Sequence, residues 1–276
     1  MNPPPTAVYV GVDVAKAKLD LDLPAPHHTV PNTPAGHATA VAALLKVAGG
    51  HVVLEASGGY ERAFVTALHR AGVPVTVTDP LRVRQFARSA GQRAKTDPLD
   101  TRVLSAFGRA HQPKPTAPDT EAERRLAALV QRRRQFQAAL GAEQNQAEGL
   151  VDKDLARQSA KLQRAYAKLI ADLETAIAEQ LQASEPMRQR AAALDALTGV
   201  GLGTAAVMLG DLPELGTLNR GQAAALAGVA PYDRQSGTWD GARHIAGGRK
   251  HVRCALYMAA LKIGRASCRE RVCVPV

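Results

Sequence analysis

Residues 7–23, AVYVGVDVAKAKLDLDL, carry the pattern from which the fold follows. Ala7 to Asp13 is an apolar run of strand length ending in an acid, and Leu19 to Leu23 alternates leucine with aspartate, as a second strand should. A weaker third strand follows over His28 to Pro31. Pro34 to Ala48 carries Ala, Val and Leu at helical spacing and is ended by Gly49-Gly50. Residues 51–59, HVVLEASGG, read as a short buried strand that delivers Glu55 at its carboxyl end. A helix over about Tyr60 to Ala71, a strand over Val73 to Thr78 and a helix over Leu81 to Ser89 continue the alternation. Such an order predicts a mixed α/β sheet, whose ligands bind beyond the carboxyl ends of the strands. Asp13 and Glu55 stand at two such ends.

The next helix opens with KTDPLDTR, residues 95–102, and places Asp97 and Asp100 in basic surroundings that include Arg82, Arg84, Arg88, Arg93, Lys95 and Arg102. Arginines repel most metal cations and attract phosphates, so acids retained here point to a metal working on nucleic acid. The same residues also make a capping-box-like start, with Asp97 as cap, Pro98 first and Asp100 third, which needs no catalysis. The two roles are compatible. If this helix packs across the strand ends, Asp13, Glu55, Asp97 and Asp100 converge on one point.

A formal charge of +10 makes a polyanion the expected partner. No apolar run reaches the ~18 residues of a membrane span, so nucleic acid outranks membrane. The start, MNPPPTAVYV, shows no secretory signal, and a cytoplasmic, nucleoid-associated protein is expected. Aromatic residues make up only 4%, which disfavours single-strand binding through stacked bases and favours backbone contact by Arg and Lys. The three cysteines, Cys254, Cys268 and Cys273, form neither a disulfide framework nor a C-x-x-C metal site.

The prolines of residues 111–118 mark a linker. Beyond it, Leu126, Leu129, Arg133, Phe136 and Leu140 advance in steps of three and four. Leu155, Leu162 and Leu169 run beside Ser159, Tyr166 and Leu173 at seven-residue spacing. These predict two long coiled-coil helices over 119–185, with a break near Gly141 or Gly149, joined as a hairpin or between subunits. The Arg and Gln residues of 131–137 read as a solvated face. After Pro186, the glycines Gly199, Gly201 and Gly203 precede an apolar helix, where backbone amides could grip a phosphate; a plain glycine turn between packed helices explains them equally well. Residues 230–241, APYDRQSGTWDG, are loop-like and hold Ser236 beside Gly237. Arg243, Arg249, Lys250 and Arg253 then form a basic cluster suited to phosphate contact.

Taken together, GVDVAK (11–16), LEASGGYE (54–61), AKTDPLDTRVL (94–104), LTGVGLGTA (197–205), LAGVAPYDRQSG (226–237) and IAGGRKHVRCALYMAAL (245–261) resemble one family in both content and order. It is the DEDD-type insertion-sequence transposases, the IS-one-ten group of RNA-guided serine recombinases. The resemblance implies a RuvC-like N-terminal domain of ribonuclease-H fold over 7–110 and the linker 111–118. It also implies a coiled-coil insertion over 119–185 and a mainly α-helical serine transposase domain with a helix-hairpin-helix-like element over 186–262. It carries the acidic, Mg²⁺-binding set onto Asp13, Glu55, Asp97 and Asp100, and the nucleophile onto Ser236. The expected partners are DNA, a noncoding RNA encoded by the element, and further copies of the chain in a dimer or tetramer. Two other readings stay open: a metal-dependent nuclease in which Ser236 is a bystander, and a non-catalytic DNA-binding protein.

Family members continue past the helix at 252–261, whereas this chain ends with IGRASCRERVCVPV, residues 263–276. Back-translated, that segment reads as sequencing adaptor. A non-native tail, and a serine domain cut short before it, are therefore expected.

Overall fold

The computed structural model describes residues 8–23, 28–91 and 97–272, without the side chains of residues 97–99 and 263–272. Lys95 and residues 273–276 lie outside it. The chain divides into two compact units, Met1–Pro118 and Asp119–Val276. Among the described residues no helix is long and apolar enough to cross a membrane.

The first unit opens with β1 (Val8–Val14), β2 (Lys18–Leu21) and β3 (His28–Pro31), followed by α1 (Pro34–Leu44), β4 (Gly50–Glu55), α2 (Arg62–Arg70), β5 (Val75–Thr78), α3 (Pro80–Ser89) and α4 (Asp97–His111). The strands form one mixed sheet in the order β3-β2-β1-β4-β5, antiparallel through β1 and parallel from β1 to β5. The expected mixed α/β architecture is therefore present. Side chains alternate across each strand. Val10, Val12 and Val14 of β1 and Val52 and Leu54 of β4 pack with Ala40 and Leu44 of α1 and Phe64 and Leu68 of α2. The opposite face brings Tyr9 and Val53 against Val83 of α3 and Val103, Leu104 and Phe107 of α4.

Local signals explain the helix starts. Thr33 and Asp79 cap α1 and α3, each followed by proline at the first turn, where its missing N–H costs nothing. Residues 111–118, expected as a linker, lie along the outer edge of β5. The Thr116 amide donates to the Val75 carbonyl (2.8 Å), the Val77 amide to the Thr116 hydroxyl (3.1 Å), and the Thr76 hydroxyl to the Lys114 carbonyl (2.9 Å). They cover an otherwise open sheet edge.

The second unit comprises α5 (Glu121–Ala147), α6 (Lys153–Gln182), α7 (Glu185–Asp195), α8 (Leu202–Asp211), α9 (Arg220–Ala227), β6 (Pro231–Ser236), β7 (Trp239–Ile245) and α10 (Lys250–Val272). A Thr120–Glu123 capping box starts α5, which runs through Gly141 and breaks before α6, where Asp152 caps. The two helices return antiparallel, as the Ser159–Glu143 and Gln180–Ala122 hydrogen bonds require. Of the two predicted rows on α6, one turns inward: Ser159 is buried, Leu173 packs on the core, and the Tyr166 ring stands 6.1 Å from that of Phe136. Leu155, Leu162 and Leu169 stay exposed. Leu126, Leu129 and Val130 of α5 and Ile177 and Leu181 of α6 share a core with Met187 of α7 and Leu209 of α8.

Residues 231–245, expected as a loop running into basic residues, form an antiparallel hairpin. It has almost no buried side chain. An alternating pattern with polar residues on both faces gives no apolar period to read, which is why it looks like loop in sequence.

Candidate active site

Pairing register assigns the acids of the first unit to a face. Asp13 shares its side of β1 with Tyr9 and Gly11, and Glu55 shares its side of β4 with Val53, so both project toward α4. They stand one step beyond the last β1–β4 pair, Val12 with Leu54, on parallel strands about 4.8 Å apart. Both are half-buried.

Close approach of α4 completes this corner. Any Cβ on Gly11 would collide with the Thr101 carbonyl and the Leu104 side chain, and one on Gly108 would collide with Tyr9. The Gly11 amide donates to the buried Ser105 hydroxyl at 2.7 Å. With Gly108 over Tyr9 and Thr101 over Gly11, the helix runs so that its N-terminus points toward the end of β1 that carries Asp13. Asp100, half-buried, immediately precedes Thr101. Asp97 opens the helix, with its side chain outside the described residues. Arg102 is exposed on the same helix.

Two further acids, which sequence reasoning passed over, shape this corner. Asp20 is the cross-strand partner of Asp13 and is only 2% exposed. It accepts from the Thr29 hydroxyl at 2.5 Å and pairs with the Lys18 ammonium at 2.9 Å. Cross-strand partners share a face, so two carboxylates oppose each other there, a repulsive arrangement that a cation relieves. Glu61, also buried, accepts from the Ser57 amide (3.0 Å) and the Gly59 amide (2.9 Å). It thereby fixes the turn after Glu55, in which Gly58 and Gly59 have positive φ. The LEASGGYE pattern was the signal for this clamp. Carboxylate oxygens are the donors that suit Mg²⁺. Among the described residues, however, no group of three or more His, Cys, Asp or Glu side chains is gathered closely enough to hold a metal. What brings the acids to one corner is backbone placement.

In the second unit, Ser236 ends β6 and pairs with Trp239 across a tight turn containing Gly237 at φ 57°. It is exposed. Gly199 takes positive φ before α8, Gly201 is the N-cap of α8 without any side-chain cap, and Gly203 lies in its first turn.

The predicted basic contacts divide into two kinds. Arg249 grips Glu214 with both guanidinium arms (2.6 and 2.7 Å) and donates to the Asp211 carbonyl. Burial opposes ionisation of Glu214, but Arg249 outweighs it and holds the carboxyl below its ordinary value. Arg253 donates to the Gly228 and Gly247 carbonyls. These two arginines tie α10 to α8 and α9. Arg243 pairs with Asp233 on the hairpin, while Lys250 is exposed at the start of α10.

Comparison with known proteins agrees with this layout. Residues 10–156 match the family model for the DEDD transposase of IS110 elements, described as Transposase, and residues 191–272 match the one described as Transposase IS116/IS110/IS902 family. The pilin gene-inverting protein of Moraxella lacunata is 27% identical over 216 residues, covering 76% of this chain and 66% of that protein. That of Moraxella bovis is 26% identical over 214 residues, with the same coverage. The chain thus spans just under two thirds of the length of these relatives. With one family model matching more than half of the chain and a second matching its C-terminal part, the chain belongs to the IS110-type DEDD transposase family.

Proposed function

We propose that this chain is a transposase or site-specific recombinase that cuts and rejoins DNA strands. The observation that carries the reading is the projection of Asp13 and Glu55, from adjacent parallel strand ends, onto the face where α4 brings Asp100. The strand order supports a ribonuclease-H-like, RuvC-type assignment. In this reading Asp13, Glu55, Asp97 and Asp100 hold Mg²⁺, which when bound polarises a phosphate oxygen. Asp20 and Lys18 set the charge beside Asp13, and Glu61 holds the Glu55 turn.

Ser236 is the nucleophile. Its Oγ bonds to phosphorus as the phosphorus–oxygen bond to the neighbouring deoxyribose breaks. The serine proton is released, and the departing sugar oxygen takes one up as a hydroxyl. One phosphoester replaces another, so rejoining needs no external energy. Exposure at a hairpin tip suits Ser236 to reach a phosphodiester. Inversion of a gene, the activity in the relatives' names, requires the same exchange of strands. An RNA encoded by the element supplies sequence choice, and the exposed row Leu155, Leu162 and Leu169 supports assembly into a dimer or tetramer.

A second reading has one observation in its favour: among the described residues the Ser236 hydroxyl has no hydrogen-bond partner to activate it, so water could be the nucleophile of a metal nuclease. Covalent trapping separates the two. The full chain is incubated with end-labelled element DNA, Mg²⁺ and RNA from the element's flanks, then denatured. Labelled protein is expected for the wild type and absent for Ser236→Ala and Asp13→Asn, with DNA binding retained. An adduct persisting in Ser236→Ala refutes the serine assignment.

A further inference from the structure

Of the arginines in 131–137, Arg132 is exposed as the sequence suggests, whereas Arg133 and Arg134 are half-buried. Arg133, Arg134 and Gln137 line a cavity of about 380 Å³ in the second unit, together with Gly203 at the start of α8 and His251 and Lys262 of α10. No Asp or Glu is among the described residues lining it. Arg134 is committed to Asp211 at 2.6 Å. Arg133 is only partly satisfied. Its side chain is 11% exposed, its only acidic neighbour among the described residues, Glu174, stands 3.9 Å away, and its buried Nε has no hydrogen-bond partner. A buried guanidinium N–H without an acceptor is rare enough to require a reason.

The other wall of the cavity has the same deficit. Helix α8 starts at Gly201 with no side chain to cap its first-turn amides. Helix starts left open in this way favour anions through their N–H groups and dipole. Gly203 faces the guanidinium: a Cβ there would lie 3.6 Å from Arg133 Nη1. The His251 imidazole is held below its ordinary value, first by desolvation and then by Arg134, as befits a group among cations.

We infer that this cavity binds a phosphate group between the Arg133 guanidinium and the α8 amides, with Lys262 supplying further charge. The inference deepens the proposed DNA-processing role by giving the second unit a phosphate contact. The cavity far exceeds the volume of one phosphate and has room for flanking sugar, so a nucleic-acid backbone fits it well. Free phosphate shares the chemistry, and the test distinguishes the two sources.

Arg133→Gln and Gly203→Asp are made in the full chain. An acid in the first turn suits the helix dipole, so α8 in Gly203→Asp gains stability while its carboxylate competes for Arg133. One arm measures binding of a short DNA duplex across a salt series; losing one phosphate contact lowers the log–log salt slope by about 0.9. The other measures the rise in melting temperature caused by inorganic phosphate over sodium chloride of equal ionic strength. Both effects reduced in both variants establishes a backbone phosphate site. Loss of the phosphate-induced rise alone upholds the site and assigns it to free phosphate. Gly203→Asp behaving as wild type in both arms overturns the inference. Absence of a Ser236 adduct would sink the recombinase reading without touching either arm.

Discussion

Replacing Gly11 by alanine tests the packing on which the acidic corner depends. The added methyl meets the Thr101 carbonyl and the Leu104 side chain, so α4 must lift from β1 because backbone cannot rotate away. Overpacking of this kind costs about 1–3 kcal/mol. Lifting also breaks the buried Gly11 to Ser105 hydrogen bond, with a net contribution of about 1 kcal/mol. A loss near 3 kcal/mol corresponds to roughly 100-fold less protection against amide exchange. Gly108→Ala is the control. There the obstacle is Tyr9, whose Cβ is fixed to β1 and cannot turn away, so a loss of similar size is expected while the Gly11 to Ser105 hydrogen bond is spared. The assay is hydrogen exchange by mass spectrometry on peptides covering 8–14 and 100–111, alongside Mg²⁺-dependent adduct yield. If Gly11→Ala exchanges like wild type, the reasoning about how α4 seats the acids is refuted.

Removing the carboxylate in Glu61→Ala leaves the Ser57 and Gly59 amides without their charged acceptor; a loss of about 2 kcal/mol and a fall in adduct yield are expected from thermal unfolding and trapping. Acid should loosen the first unit through His51, whose pKa burial lowers and whose Nε2 is 2.8 Å from the Thr76 hydroxyl. That hydroxyl donates onward to Lys114, so Nε2 carries the proton of a neutral ring. Because the folded pKa lies below the unfolded value near 6.5, stability is full above that value and falls as pH drops through it. His51→Gln should flatten this part of a melting-temperature profile, and an unchanged slope would count against it. Arg249→Met should lower the stability of the second unit by about 1 kcal/mol, the pair being partly exposed, and leave the salt slope of DNA binding unchanged. Lys250→Met should do the reverse, with a slope reduced by about 0.9 and no change in melting.

What periodicity revealed and what it hid follow one physical rule. Apolar runs ending in Asp13 and Glu55 located both strands and both acids, because a buried parallel strand has to be apolar until it reaches the sheet edge. The alternation around Asp20 told which residues share a face, but not that this face would be covered, so nothing marked Asp20 as a carboxylate only 2% exposed. Two rows at seven-residue spacing on α6 were equally legible. Only packing against α5 decided that Ser159 and Leu173 go inward while Leu155 and Leu162 stay out.

Charge was the least readable property, since composition cannot separate a cation that is paired from one that is available. Arg249 and Arg253 sit in a basic stretch of the chain, yet one is held by an acid 35 residues away and the other by backbone carbonyls. Arginine suits such interior ties because its planar fork satisfies two acceptors at once. Arg133, by contrast, occupies a seam position among leucines, where a charge without a strong partner weakens the helix pair relative to an apolar residue. A helix pair that retains arginine there gives up stability that leucine would have supplied. The unpaired Nε, the uncapped start of α8 and the glycine between them make that loss intelligible as the condition for holding an anion. On this argument Arg133, Lys262 and Lys250 offer positive charge to DNA in the second unit, whereas Arg249 and Arg253 do not.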